Sequence, residues 1–129
     1  MKPRSSLTAA VGVLIWAGCS PPVVFQSDRD GDDEIYWMDA TGAGLVQLTD
    51  NGSDDTSPSL SADATLVVFS SNRDGPQQIY IMNVDGTGQT RLTEHDDNDF
   101  EPSVNRQAGR IVFRSDRDGN FEVYIMDLN

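Results

Sequence analysis

Residues 69–82 read FSSNRDGPQQIYIM, and closely similar stretches occur at 25–38 (FQSDRDGDDEIYWM) and at 113–126 (FRSDRDGNFEVYIM). Corresponding positions in the three copies are 44 residues apart, and this spacing does not drift along the chain. A fixed period in this range is the sequence signature of a repeat architecture, in which neighbouring units stack and share a core. The chain is therefore expected to be an array of similar supersecondary units.

Each unit is expected to consist of short β-strands. Residues 66–69 and 79–82 are rich in β-branched and aromatic side chains and are apolar on both faces, as in strands covered on two sides. Between them, Asn72 and Gly75 occupy the first and fourth positions of a type I turn. Further strands are expected at 57–60 and 90–93, and no stretch after residue 22 shows a helical period.

Four short antiparallel strands in 44 residues correspond to one blade of a β-propeller. The pattern that begins at Pro58, continues through SNRDG at 71–75 and IYIM at 79–82, and ends at Leu92-Thr93 resembles the TolB-type propeller repeat, which is WD-repeat-like. The resemblance covers residues 23–129. The expected fold class is therefore all-β, built from β-propeller blades of four antiparallel strands.

The chain supplies about two and a half blades. A partial blade is expected at 23–56, a full blade at 57–100 and a second partial blade at 101–129. The first lacks its inner strand, and the third ends where its outer strand should follow. Because propellers close with about 4–8 blades, we expect an incomplete ring that needs self-association or missing blades to close. The alternatives are a truncated reading frame and a partial blade stack with exposed edges, which is less favourable because exposed edges promote aggregation.

The first 18 residues have the composition of an export signal. Lys2 and Arg4 precede a mostly apolar run at 7–17 that is too short to span a bilayer comfortably. A cleaved signal peptide is therefore expected at 1–18, and no membrane-spanning segment is expected from this run.

The apolar run ends in Trp16-Ala17-Gly18-Cys19, which resembles a lipobox, where a bacterial signal peptidase cuts before a cysteine that becomes lipidated. Cys19 is the only cysteine, so no intrachain disulfide can form. Residues 19–22 are then the lipidated cysteine and a short linker. A lipoprotein anchored at the periplasmic face of a bacterial membrane is expected, and an unlipidated periplasmic or secreted protein is the alternative.

The acidic residues concentrate at one end of the expected blades. The net charge is −12, and it becomes −14 once Lys2 and Arg4 are removed with the signal peptide. In an up-and-down meander, the loops between second and third strands and the loops between blades emerge at the same end. These loops hold 17 acidic residues against three arginines, so this end carries the whole net charge of −14.

We call this end the acidic rim. Its blade-to-blade loops contribute Asp54, Asp55, Asp96, Asp97 and Asp99. Two interpretations stay open: the acidic turns keep an exported protein soluble, or the rim binds a cationic ligand such as a basic protein. Nucleic acid is not an expected partner, because phosphate neutralisation needs Lys and Arg.

Two of the acidic turns place oxygen-bearing side chains at alternate residues, a pattern that suits calcium. The second copy has Pro76 and Gln78 at two of these positions, and the full calcium-loop consensus is absent. No other cofactor is expected. The candidate ligands are Asp28, Asp30, Asp32 and Glu34 in the first copy and Asp116, Asp118, Asn120 and Glu122 in the third.

Candidate catalytic groups are few, and an enzyme is not expected. His95 is the only histidine, and its place in an acidic blade-to-blade loop predicts a solvated side chain. The sequence has no G-x-S-x-G nucleophile motif, no H-E-x-x-H and no histidine pair. The carboxylates are expected to face water, where nothing raises a pKa for general acid catalysis. The repeating tyrosines and methionines are expected to pack in the core.

The leading hypothesis is a non-enzymatic, exported propeller-repeat scaffold that mediates protein–protein interaction in the bacterial cell envelope. The TolB resemblance implies protein partners at the periplasmic face of a membrane. The alternative is a truncated propeller fragment of a larger hydrolase or lyase, such as a dipeptidyl-peptidase-like enzyme. Fold alone does not decide between them.

Overall fold

The computed structural model describes residues 20–105 and 109–128. These residues form three antiparallel sheets. The first contains β1 (Val23–Ser27), β2 (Glu34–Met38) and β3 (Val46–Gln47). The second contains β4 (Asp55–Leu60), β5 (Leu66–Ser71), β6 (Gln78–Asn83) and β7 (Thr90–Arg91). The third contains β8 (Asp99–Val104), β9 (Arg110–Ser115) and β10 (Glu122–Asp127).

The all-β prediction of about two and a half blades in an open array is confirmed. Only the second sheet has four strands; within the described ranges, the first lacks an inner strand and the third an outer one. β4 begins at Asp55 rather than at Ser57. No helix among the described residues has the length and hydropathy to cross a bilayer. The predicted signal peptide and Cys19 lie outside the described residues.

The repeat period appears directly in the strand register. In each blade, the motif phenylalanine pairs with the motif tyrosine on the neighbouring strand. The two rings stack with centroids 5.7–5.9 Å apart. The three pairs are Phe25 with Tyr36, Phe69 with Tyr80 and Phe113 with Tyr124. Aromatic cross-strand pairs stabilise a sheet, so the repeated motif positions the same pair in every blade.

The inner strands β4 and β8 carry a bulge at equivalent residues. Ser57 and Glu101 adopt positive φ values of 53° and 52°, and the register shifts around each. The bulge turns a backbone N–H away from its own sheet. Ser57 N donates to Gln26 Oε1 at 2.7 Å and Glu101 N to Ser70 Oγ at 3.2 Å, so each bulge links its blade to the preceding one.

The apolar core lies between blades in two layers. One joins the first and second sheets, with Phe69, Tyr80 and Met82 buried against Ile35 and Leu48. The other joins the second and third sheets through the buried side chains Val68, Ile79, Ile111 and Phe113. The prediction that the motif tyrosine and methionine pack in the core is confirmed for the second blade, where both are almost completely buried.

The far face of the third sheet is apolar and open to solvent. Val112, Val123 and Ile125 are 37%, 72% and 64% exposed. They are equivalent to Val68, Ile79 and Ile81 of the second sheet, which pack against the third. The third sheet therefore presents a surface that elsewhere in this molecule is covered by another blade.

Candidate functional site

Each repeated turn sends one arginine over an aromatic pair. The guanidinium carbon of Arg73 lies 4.8 Å from the centre of the Tyr80 ring and 5.5 Å from that of Phe69. Arg29 and Arg117 each lie 4.3 Å from the centre of the equivalent tyrosine ring. A cation over an aromatic face is attracted to the π electrons. The motif therefore holds one guanidinium at the turn end of every blade.

In the second and third sheets this arginine pairs with a buried aspartate of the inner strand. Arg73 Nη2 lies 2.6 Å from Asp55 Oδ2, and Arg117 Nη2 lies 3.0 Å from Asp99 Oδ1. Both aspartates are fully buried, and a buried charge needs a paired partner. The ion pair thus ties the inner strand to the turn of its own blade. Each arginine also donates Nε to a serine, in the pairs Arg29–Ser27, Arg73–Ser71 and Arg117–Ser115.

His95 belongs to the ion pair of the third sheet. Its Nε2 atom lies 2.8 Å from Asp99 Oδ2 and 2.9 Å from Arg117 Nη2, and its side chain is 24% exposed. Asn51 occupies the equivalent position in the second sheet and donates Nδ2 to Asp55 Oδ2 at 2.8 Å. The expectation of a solvated histidine is therefore wrong. The His95 ring belongs to a hydrogen-bond network that is equivalent to the one that Asn51 joins one blade earlier.

Glu34, Gln78 and Glu122 are equivalent residues with different surroundings. Glu34 is fully buried; its Oε1 accepts from Asn51 N at 2.5 Å, while its Oε2 has no partner among the described residues. Burial raises the pKa of Glu34, and the nearby Asp55 carboxylate raises it further. Glu122 is exposed. The expectation that nothing raises a carboxyl pKa in these turns is therefore wrong for Glu34.

The candidate calcium ligands of the third copy take separate roles. Asp116 accepts hydrogen bonds from the side chain and the backbone of Asn98, and these lower its pKa. Asp118 accepts from the hydroxyl of Tyr124. Asn120 Nδ2 donates to the Glu122 carboxylate at 2.6 Å. These contacts are those of turn and cross-strand stabilisation.

The candidate ligands of the first copy also diverge. Asp28 is exposed, Asp30 accepts from Gln47 Nε2 at 2.6 Å, and Asp32 is half-buried beside the buried Glu34. Over residues 20–105 and 109–128, no group of three or more His, Cys, Asp or Glu side chains is arranged to hold a metal ion. Calcium binding stays a prediction.

The loops assigned to the acidic rim contact one another. Asp54 N donates to Asn72 Oδ1 at 2.9 Å, and Asn98 N donates to Asp116 Oδ1 at 2.7 Å, so each blade-to-blade loop packs on the turn of the following blade. The five rim aspartates divide into two groups. The exposed ones are Asp54, Asp96 and Asp97, and the fully buried, arginine-paired ones are Asp55 and Asp99.

Sequence reasoning missed the role of the arginines. Arg73 and Arg117 follow their buried aspartates by 18 residues, and both members of each pair repeat with the 44-residue period. The recurrence of both residues in register with the strands was the sequence feature that could have indicated these ion pairs.

Antiparallel blades of this kind, two of which contain a buried arginine–aspartate pair and are joined to the preceding blade at a bulge, define a β-propeller repeat protein. The sequence profile of the TolB beta propeller domain matches residues 15–129. The chain therefore belongs to the TolB beta propeller family. Comparison with curated proteins gave no match.

Solved structures support the same assignment. A putative TolB from Agrobacterium tumefaciens is similar over 83% of this chain and 42% of its own, with 26% identity and a TM-score of 0.76. TolB from Acinetobacter baumannii is similar over 84% of this chain and 27% of its own, with 22% identity and a TM-score of 0.70. The chain thus spans less than half the length of these relatives.

An enzyme shares the fold at lower similarity. Oligogalacturonate lyase from Vibrio parahaemolyticus is similar over 82% of this chain and 33% of its own, with 14% identity and a TM-score of 0.61. Identity this low reflects the shared propeller fold alone. The fold therefore accommodates both TolB proteins and an enzyme.

Proposed function

We propose that the protein is a non-enzymatic, exported binding scaffold whose acidic rim takes a basic protein partner in the bacterial cell envelope. The observation that carries the proposal is the separation of charge: the rim loops hold the whole net charge of −14, while the rest of the mature chain is neutral. A surface of one sign steers and orients a partner of the other.

The rim offers exposed carboxylates on a rigid base. Asp54, Asp96 and Asp97 are exposed, whereas Asp55 and Asp99 beneath them are held in buried ion pairs. Loops fixed by paired charges lose little conformational freedom on binding, which favours recognition. Solubility alone does not call for this one-sided distribution.

The place of action is the second part of the proposal. The basic and apolar character of residues 1–18, followed by the sole cysteine Cys19, supports export and lipid anchoring at the periplasmic face of a membrane. Membership of the TolB beta propeller family is consistent with a periplasmic location. The alternative of a propeller fragment from a hydrolase or lyase has fold-level similarity as its support.

The test is chemical cross-linking in bacterial envelopes, comparing two variants of equal charge. The rim variant carries Asp54→Asn, Asp96→Asn and Asp97→Asn. The control carries Asp63→Asn, Asp85→Asn and Asp127→Asn, which neutralise three exposed acids outside the rim. We expect a discrete protein adduct with the native chain and the control, and loss of that adduct with the rim variant or in high salt.

Equal adduct yield from the two variants would show that the rim does not select the partner. Absence of any protein adduct, together with a lyase or hydrolase activity of the purified chain, would favour the enzymatic alternative.

A further inference from the structure

The first blade reproduces the arginine, the aromatic pair and the serine of the repeated ion-pair site but not the carboxylate. Arg29 lies over Tyr36 and Phe25 as Arg73 and Arg117 lie over their own rings. Its Nε donates to Ser27 Oγ at 3.1 Å. Among the residues that the structure describes, no carboxylate forms an ion pair with Arg29, which is exposed.

The strand that would supply that carboxylate is also missing from the described blade. β5 and β9 each lie between an inner and an outer neighbour, whereas β1 is the edge of its sheet. In the complete sites the aspartate pairs with the motif serine, Asp55 with Ser71 and Asp99 with Ser115. An incoming antiparallel strand would therefore place its acid opposite Ser27, within reach of Arg29.

We propose that the β1 edge binds an extended segment of a partner protein with the sequence Asn-Asp-x-x-Pro, which completes the first blade as its inner strand. Addition of a strand to an exposed sheet edge is a known mode of peptide recognition, in which backbone hydrogen bonds give affinity and side-chain sites give specificity. The β1 edge adjoins the acidic rim at the 27–34 turn, but it recognises an acidic segment through Arg29, so the proposal goes beyond the basic partner proposed above.

The choice of asparagine rests on one contact between the inner strand and the turn, in which Asn and Asp change places between the second and third blades. In the second blade, Asp54 accepts a hydrogen bond from Asn72 Nδ2 at 3.2 Å. In the third blade the types are exchanged, and Asn98 Nδ2 donates to Asp116 Oδ2 at 3.0 Å. The first blade has Asp28 at this turn position. It therefore calls for asparagine before the aspartate, because an acid there would face the Asp28 carboxylate.

The remaining positions follow from the two inner strands of the chain. Segments 55–60 (DTSPSL) and 99–104 (DFEPSV) both place proline three residues after the aspartate, directly after the bulge residue. The same order, acid then bulge then proline, would fit the β1 edge.

Within residues 1–129, no segment outside the paired strands has this sequence. Residues 1–19 contain no Asp or Glu, and the position one repeat before Asp55 is Val11. β4 and β8 are already paired with β5 and β9, with Asp55 and Asp99 fully buried. A second copy could donate either strand only by opening one of its own blades. A partner segment of this chemistry is the occupant that fits.

The experiment uses the full chain and a fluorescent synthetic peptide that copies residues 98–105, NDFEPSVN. Fluorescence anisotropy should show saturable binding, and the Asp99→Asn peptide should bind about tenfold more weakly, since it lacks the charge-assisted hydrogen bond to Arg29. Variation of the peptide leaves the protein intact, so misfolding cannot explain the difference. Arg29→Gln should weaken binding to a similar extent, and Arg110→Gln, at an exposed arginine elsewhere, should not.

A charge-exchange pair gives the sharpest readout. The Asn98→Asp peptide should bind more weakly to the native chain, and the Asp28→Asn protein should restore its affinity by recreating the second-blade arrangement. Hydrogen exchange should show new protection at 23–27. Equal affinity of the native and Asp99→Asn peptides, absence of binding, or protection confined to the rim loops would each overturn the proposal.

Discussion

Gln78 lies in the second sheet at the position that Glu34 occupies in the first, and both side chains are fully buried. Glu34 accepts a hydrogen bond from Asn51 N, whereas Gln78 Nε2 donates to the carbonyl oxygens of Asp97 at 2.7 Å and His95 at 3.2 Å. One blade junction thus uses a carboxyl group where the next uses a neutral amide.

The first prediction is that Glu34→Gln raises the free energy of unfolding at pH 7 by about 1 kcal/mol, the scale of relieving one unsatisfied buried polar atom. A neutral amide would also remove the repulsion between Glu34 and the nearby Asp55 carboxylate, whose Oδ1 is buried and without a partner among the described residues. Urea denaturation measures the change. The matched control is Glu122→Gln at the exposed equivalent position, where we expect no comparable gain.

The same substitution should change the pH dependence. Burial raises the pKa of Glu34 above its ordinary value of 4.5, so just above pH 4.5 the folded state binds more protons than the unfolded state. The contribution of Glu34 to stability is therefore present below pH 4.5 and is lost as pH rises through the folded pKa. The native chain should lose more stability than Glu34→Gln across this window; parallel pH profiles would contradict the assignment.

The second prediction concerns the buried ion pairs. Asp55→Ala should lower the free energy of unfolding by about 3 kcal/mol, because it leaves Arg73 without its partner and opens space at a fully buried site. The neighbouring Asp54→Ala, at an exposed residue, should cost about 0.5 kcal/mol or less. Similar losses from the two variants, measured by denaturation, would show that burial and pairing do not govern this turn.

The fold could be predicted because the 44-residue period fixes strand positions independently of local propensity. The turn at 71–75 and the aromatic pair of Phe69 and Tyr80 sit where the repeat requires them. The bulges at Ser57 and Glu101 could not be read from the sequence, since their positive φ depends on bonding to the preceding blade.

The sequence did not show which of the acidic residues are buried. Asp55 and Asp54 are adjacent and identical in type, yet only the first points at Arg73. Composition places both on one acidic loop, but strand pleating sends neighbouring side chains to opposite sides. The contact of His95 could not be predicted either, because its partner Asp99 is buried within the blade.

The third prediction is self-association through the exposed face of the third sheet. Val123 and Ile125 are 72% and 64% exposed, while the equivalent Ile79 is fully buried by a neighbouring blade. Residues 20–129 should therefore form oligomers by light scattering, and Val123→Lys with Ile125→Lys should shift them toward monomer. A control, Val46→Lys, alters an exposed apolar residue of the first sheet and should have less effect. A native monomer with cooperative unfolding would contradict this prediction.

The fourth prediction concerns anchoring. If Cys19 is lipidated, Cys19→Ala should move the protein from the membrane pellet to an unprocessed precursor or a soluble form. Fractionation followed by immunoblotting measures this. Cys19→Ser serves as a second variant that keeps a polar side chain without a thiol. Processing and fractionation like the native chain would show that the thiol is not the anchor.

The last prediction separates general charge repulsion at the rim from a specific cation site. The rim loops carry a net charge of −14 and contact one another, and salt screens repulsion over about 10 Å at 0.1 M. Sodium chloride should therefore raise the melting temperature. If the rim holds no specific cation site, calcium at matched ionic strength should give the same shift.

A larger calcium effect would instead indicate mass-action binding. In that case Asp116→Ala with Asp118→Ala should remove the excess, because these residues provide the alternating oxygens of the third copy. Asp74→Ala is the matched control: Asp74 accepts from Tyr80 as Asp118 does from Tyr124, but its turn lacks the alternating acids. Loss of the excess in both variants would trace it to the tyrosine contact and not to a calcium site.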